Sequence, residues 1–480
     1  MSTDRHSLVV NPNILEMEYA VRGPIPQRAA ELKKQGRKII PANIGNPQAL
    51  GQVPMTYLRQ VLSLVEDPAK ISRERQLKSL FEESPYSDLS EEDFISEDIL
   101  QLSEAILSAS GTGMGAYTES KGMQFVREAI AEFIDHRDGY RPGKGTPADP
   151  ESIFLTTGAS QGVYFVVDLL LANENDGIMI PIPQYPLYSA AIKKAGGVQV
   201  NYYPDEEGGW IFDREILVDA YQAARKQGVN VKAIVVINPG NPTGAVLNEK
   251  SMVEVIQFAK EHQLMIIADE VYQENVYGGR FLSFAQVMGA QKVPLASLHS
   301  ISKGFLGECG HRGGYLEMRN PPLIEGTSLD FIDLLNKQAS VSLCSSTPGQ
   351  VLTYLMVRPP LENTRTYQVY IEEKQRILND LHEKALMIRE AFKEMEGVEC
   401  FGETGALYLF PRLGVLPEGT TDFDYCMALL EETGLCTVNG SGFGQKPGTQ
   451  HLRIAFLPPK ELLEEVLPAW IEFHNRYIAA

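Results

Sequence analysis

Cysteine is scarce in this chain and scattered. The 480 residues hold five, at Cys309, Cys344, Cys400, Cys426 and Cys436, with no CxxC pair among them. An odd, unclustered set argues against a disulfide framework or a zinc site, so no metal is expected. Reduced thiols of this kind fit a cytoplasmic protein. Positive charge is also short: 43 Lys and Arg stand against 62 Asp and Glu, for a net charge of −19. Such a chain is a poor partner for nucleic acid, while its charge balance does not exclude a local basic pocket. No apolar run approaches the roughly 20 residues of a membrane span. The Met1–Val10 stretch carries Asp4, Arg5 and His6 and does not read as a signal peptide.

What is present suffices for a large core, with 44% hydrophobic residues over a length suited to two domains or one big α/β unit. The middle of the chain alternates apolar strand patterns with helical ones. Strands are expected at Ser152–Thr157, Gly177–Ile182, Val198–Tyr203, Ala233–Asn238, Leu264–Asp269 and Leu295–Ser300, with helices at Ser160–Leu171 and Glu249–Glu261. Several strands are near-continuous apolar runs, as in a parallel sheet covered on both faces. The C-terminal part differs: a helix at Arg376–Glu394, strands at Gly405–Arg412 and His451–Leu457, and a helix at Pro458–Tyr477 suggest a smaller α+β domain. The charged Pro68–Asp98 region reads as an exposed insert. The expected organisation is an N-terminal arm with part of the small domain over 1–100, a large domain over 101–345, and the rest of the small domain over 346–480.

Parallel sheets bind ligands beyond their strand C-termini, and the candidate motifs sit there. Lys303 lies in His299-Ser300-Ile301-Ser302-Lys303-Gly304, with Arg312 nine residues on. An amine in a partly desolvated pocket can form a Schiff base, and a guanidinium can grip a phosphate. Thr156-Thr157-Gly158-Ala159-Ser160 opens a helix, where backbone amides favour an anion, although Ser is also an ordinary cap. Asn238-Pro239-Gly240-Asn241-Pro242-Thr243-Gly244 is either a rigid turn or a loop presenting the Asn241 amide. Asp269, in Ala268-Asp269-Glu270-Val271-Tyr272, ends a buried strand, where a carboxylate needs a partner such as a protonated ring nitrogen. Tyr272 can reach the same ligand. Tyr185, in Pro183-Gln184-Tyr185-Pro186, can stack on a flat ring or pack in the core. Arg453, in His451-Leu452-Arg453-Ile454, is either a solvated strand residue or a fork for a carboxylate.

In this order the motifs resemble the class I/II, fold-type I aminotransferases, from about Glu18 to the C-terminus. Longer stretches, among them Ala42–Gln52, Gly115–Gly122, Ser302–Tyr315 and Ser441–Gln445, are most similar to the alanine-using subgroup. The resemblance implies pyridoxal phosphate as cofactor, Lys303 as its Schiff-base lysine and Asp269 as partner of its ring nitrogen. It places Asn241 and Tyr272 on the ring 3-oxygen, Tyr185 in the stacking position, and Ala159, Ser160, Ser300 and Arg312 around the phosphate. Tyr117 matches a tyrosine that reaches the neighbouring subunit's cofactor, which implies a homodimer with shared sites. Arg453 matches the α-carboxylate clamp and Gly45 a backbone position near the substrate. Arg22 is the candidate for a distal carboxylate. The implied reaction converts L-alanine and 2-oxoglutarate to pyruvate and L-glutamate by a ping-pong route. Glutamate:glyoxylate transfer and a lyase or synthase on the same fold are the alternatives. A cofactor-sensing DNA-binding regulator is disfavoured by the net charge. Two departures stand out: Arg312 follows the lysine by nine residues where aspartate enzymes have eight, and Asn46 follows Gly45 where some relatives carry an acid.

Overall fold

The computed structural model describes residues 8–17, 23–83, 90, 93–111, 113–142, 145–414 and 416–479. The apolar runs form the sheet expected of them. A short β1 (Ile40–Pro41) precedes β2 (Ile153–Thr156), β3 (Asp176–Pro181), β4 (Val198–Tyr202), β5 (Asn230–Ile237), β6 (Met265–Asp269), β7 (Leu295–Ser300) and β8 (Gly314–Arg319). The last seven make one sheet in the order β2-β8-β7-β6-β5-β3-β4. Only β8 runs against the others, antiparallel to both β7 and β2. Consecutive residues feed opposite faces: Val235 and Ile267 join one buried cluster, Ile234 and Ile266 the other. Helices on both faces complete an α/β layer structure.

β8 was not expected, and its physical reason is visible. Glu317 and Arg319 make GYLEMR look like surface, but two residues apart they share a side and pair at 2.7 Å. Both are buried, with their charges set against each other.

The second part of the molecule joins the two ends of the chain. Leu58, Val61, Leu381, Ile388 and Trp470 belong to one core cluster. β1 pairs in parallel with β10 (Leu435–Cys436). The expected C-terminal strands shrink to β9 (Tyr408–Leu409) and β12 (Leu452–Ala455), which lie in a sheet of order β11-β12-β9 with β11 (Val438–Asn439). Ala406 takes a left-handed φ of 52°, which stops β9 from starting at Gly405. The long helix begins at Arg365, well before Arg376, because the Thr364 side chain caps it by accepting from the Tyr367 amide. In the 68–98 region, Ala69–Glu83 is a helix that buries only Ile71. Among the described residues no helix is long and apolar enough to cross a membrane.

Candidate active site

Because six strands of the large sheet point one way, the C-terminal ends of β2, β5, β6 and β7 share an edge. The first end builds an anion cup. After β2 the chain turns at Gly158, with φ 75°, into the helix Ala159–Leu170. Arg312, itself left-handed at φ 56°, folds back over that turn. Its Nη2 donates to the Thr157 carbonyl at 3.1 Å and to Ser160 Oγ at 3.4 Å, and its Nη1 donates to the Cys309 carbonyl at 3.0 Å. A Cβ on Gly158 would stand 2.3 Å from Nη2, so glycine is required by both backbone and space. A guanidinium and a hydroxyl thus meet at the start of a helix, a combination that suits a phosphate. Ser300, at the end of β7, uses its hydroxyl on the lysine turn. It donates to the Gly313 carbonyl at 3.1 Å and accepts from the Ser302 amide at 3.1 Å.

Asp269 closes β6 and is buried. Its Oδ2 accepts from the Tyr188 hydroxyl at 2.8 Å, while its buried Oδ1 has no partner. Burial pushes the carboxyl up to about 6, although the Tyr188 hydrogen bond, the Val271 amide and Lys303 all oppose that. A buried carboxyl with one oxygen unpaired is suited to a cationic donor, which would hold it ionised. Tyr185, just before the helix that carries Tyr188, is half-buried and packs on the sheet core. Asn241 donates through Nδ2 to the Tyr272 hydroxyl at 3.5 Å, which places both expected ring-oxygen donors together.

Lys303 follows β7 and donates to the Gly45 carbonyl at 2.8 Å. It lies 5.8 Å from the Tyr272 ring centroid. Arg453 is 2% exposed, so the solvated reading fails. Its Nη1 donates to Asn241 Oδ1 at 3.1 Å and its Nη2 to the Asn43 carbonyl at 2.6 Å, while its Nε has no partner. The guanidinium stands 4.2 Å from the Tyr408 ring centroid and 4.6 Å from that of Phe443. A buried cation so held, with a spare donor, suits a carboxylate.

Lys303, Asp269, Asn241, Tyr272, Gly45 and Arg453 are thus brought together, with Ala159, Ser160 and Arg312 as the cup. Tyr117 is 76% exposed on this chain. Arg22 lies outside the described residues. Tyr188, Tyr408 and Asn43 were missed. Tyr188 sits within the same PQYPLY motif as Tyr185. Tyr408 carries no motif, and only its pairing opposite Ala455 brings it beside Arg453. Among the described residues no cluster could hold a metal ion.

Gly45 carries a prediction of its own. A Cβ there would lie 1.8 Å from Tyr408 Oη and 3.3 Å from Lys303 Nζ. Gly45→Ala should lower kcat by about 10²-fold, because misplacing a reacting group by about 1 Å costs that much. A steady-state assay beside a melting curve, which separates lost catalysis from lost stability, checks it.

The family profile described as aminotransferase class I and II matches residues 81–469. The chain belongs to that family. Like other aminotransferases it is a transaminase, moving an amino group between an amino acid and a 2-oxo acid. It is 41% identical over 496 residues to alanine aminotransferase 2 of Panicum miliaceum, covering 98% of this chain and 97% of that one. It is 39% identical over 488 residues to glutamate–glyoxylate aminotransferase 2 of Arabidopsis thaliana, covering 98% and 96%. Among solved aminotransferase structures, an alanine aminotransferase from Pyrococcus furiosus superposes with a TM-score of 0.76 at 25% identity, over 98% of this chain and all of that one.

Proposed function

We propose that this aminotransferase uses pyridoxal phosphate to convert L-alanine and 2-oxoglutarate to pyruvate and L-glutamate. The observation that carries the cofactor is the buried Asp269 Oδ1 without a partner, in a site that also holds a lysine amine and an anion cup. That donor set fits a flat, phosphorylated ring with a protonated nitrogen. When bound, the cofactor supplies an electron sink for the electrons released as the amino acid's Cα–H bond breaks.

The chain's residues divide the remaining work. Ser160, Arg312 and the amides at Ala159 would hold the phosphate. The Asp269 carboxylate would keep the ring nitrogen protonated, Asn241 and Tyr272 would serve the ring oxygen, and Tyr185 would stack on the ring. Arg453 holds the substrate α-carboxylate. Lys303 would hold the cofactor covalently through Nζ, and the freed amine would take the proton from the substrate's Cα and pass it to the cofactor. One amino acid leaves as its 2-oxo acid before the second 2-oxo acid enters, so the kinetics are ping-pong.

The alanine assignment rests on the subgroup stretches and on the Panicum relative. The Arabidopsis relative is nearly as similar, so glyoxylate is the acceptor to test beside 2-oxoglutarate. Arg22 is retained as the proposed partner of a distal carboxylate. Tyr117, exposed on the single chain, supports a homodimer in which it reaches the neighbouring site. A cytoplasmic location belongs to the same proposal, resting on five free thiols.

A coupled assay of the purified protein with alanine, glutamate, aspartate and glycine, against pyruvate, 2-oxoglutarate and glyoxylate, tests the substrates. Alanine with 2-oxoglutarate should give the highest kcat/KM, with parallel double-reciprocal lines. A higher value for glutamate with glyoxylate would replace this assignment. Release of ammonia or a thiol without any acceptor would remove transamination itself.

A further inference from the structure

Tyr408 is a large polar side chain of the site to which the motifs gave no role. It is 2% exposed and stands in the middle of the site. Its ring lies 4.2 Å from the Arg453 guanidinium, with Phe443 4.6 Å away as a second aromatic contact. Its hydroxyl accepts from the Tyr272 hydroxyl at 3.4 Å. It also abuts Gly45, so that the space beside Gly45 Cα is bounded by Tyr408 Oη and Lys303 Nζ together. One side chain therefore meets the carboxylate clamp through its face, a cofactor-facing phenol through its tip, and the working volume of the lysine amine.

We propose that Tyr408 is a positioning residue that couples the Arg453 clamp to Lys303. Its ring fixes the plane of the guanidinium, and its hydroxyl fixes Tyr272 and limits where the lysine amine moves. This rests on the transaminase reading of the site. The two halves are separable, because phenylalanine keeps the ring and removes only the hydroxyl.

The surroundings support the hydroxyl half. Burial raises the Tyr408 phenol, but Lys303, Arg453 and the Tyr272 hydrogen bond outweigh it, with Cys309 acting the other way, and the net direction is down. Tyr272, by contrast, is pushed well up, chiefly by burial. The two phenols thus differ in acidity: Tyr272 keeps its proton and donates it, and Tyr408 accepts.

Holoenzyme variants Tyr408→Phe and Tyr408→Leu test this with alanine and 2-oxoglutarate, and with propionate as an inhibitor that has a carboxylate and no amino group. Tyr408→Phe should lower kcat by about 3- to 10-fold, the worth of one hydrogen bond. It should shift the alkaline limb of the kcat pH profile and leave propionate inhibition unchanged. Tyr408→Leu should in addition weaken propionate and raise both KM values by about 3- to 30-fold, the worth of a desolvated cation–π contact. Where Tyr408→Leu fails to fold, Phe443→Leu, which strips the other aromatic contact, should give the same propionate effect. Wild-type kcat and pH profile in Tyr408→Phe would overturn the hydroxyl role. Unchanged propionate inhibition in the leucine variants would overturn the ring role. Propionate binding by calorimetry is read without turnover, so a wild-type protein lacking transamination would count against the functional reading and not against the clamp.

Discussion

Lys303→Ala should abolish transamination, with a loss of at least about 10⁴-fold, the upper range for removing a general acid–base group. The size follows from the position. Lys303 Nζ donates to the Gly45 carbonyl at 2.8 Å and lies 5.8 Å from the Tyr272 ring centroid. Removing it would delete both the proposed covalent anchor and the proposed proton carrier, and no second lysine takes a place in the described site. The lost volume is small and partly solvated, so the fold should persist. Borohydride reduction followed by peptide mass analysis checks the anchor directly. The wild-type protein should carry the cofactor's mass on the peptide containing Lys303, and the variant should carry none. Wild-type turnover in the variant would refute the assignment.

Asp269→Asn should be the next most damaging change, at about 10²- to 10³-fold in kcat, as for the loss of one preorganised electrostatic partner in a buried site. The amide keeps the Tyr188 contact but offers no charge to a protonated ring nitrogen. A second readout needs no turnover. Burial raises this carboxyl from an ordinary 3.8 to about 6, so the folded ligand-free protein binds the proton more tightly than the unfolded chain. Its contribution to stability is full below about pH 4 and is lost as pH rises through about 6. Ligand-free Asp269→Asn should therefore show a flatter melting temperature between pH 4 and pH 6 than the wild type. A wild-type slope in the variant would mean that another group titrates there.

How much of this was legible in the sequence depends on the kind of signal. Strands buried on both faces announce themselves as apolar runs, and β3, β5, β6 and β7 were found within a few residues. β8 was hidden because Glu317 and Arg319 neutralise each other inside the sheet, a relation visible only once both are on one strand face. Residues carried by turns of special chemistry, such as Gly158, Asn241 and Lys303, were legible because their neighbours are constrained too. Arg453 was legible only through resemblance, since an alternating strand does not say which face is covered. Tyr408 and Asn43 had no local signal. Asn43 contributes its backbone carbonyl, which any residue carries, and Tyr408 matters only through strand pairing.

The site also has an order of assembly. Gly45 and Asn43 come from near the start of the chain and Arg453 from near its end. They are stitched directly: the Ala455 amide donates to the Ala42 carbonyl at 2.7 Å, and Arg453 reaches the Asn43 carbonyl. Because synthesis runs from the N-terminus, the lysine and the anion cup emerge from the ribosome long before the clamp does. The grip on the substrate's α-carboxylate, the part of the site common to every amino acid, is therefore the last to leave the ribosome.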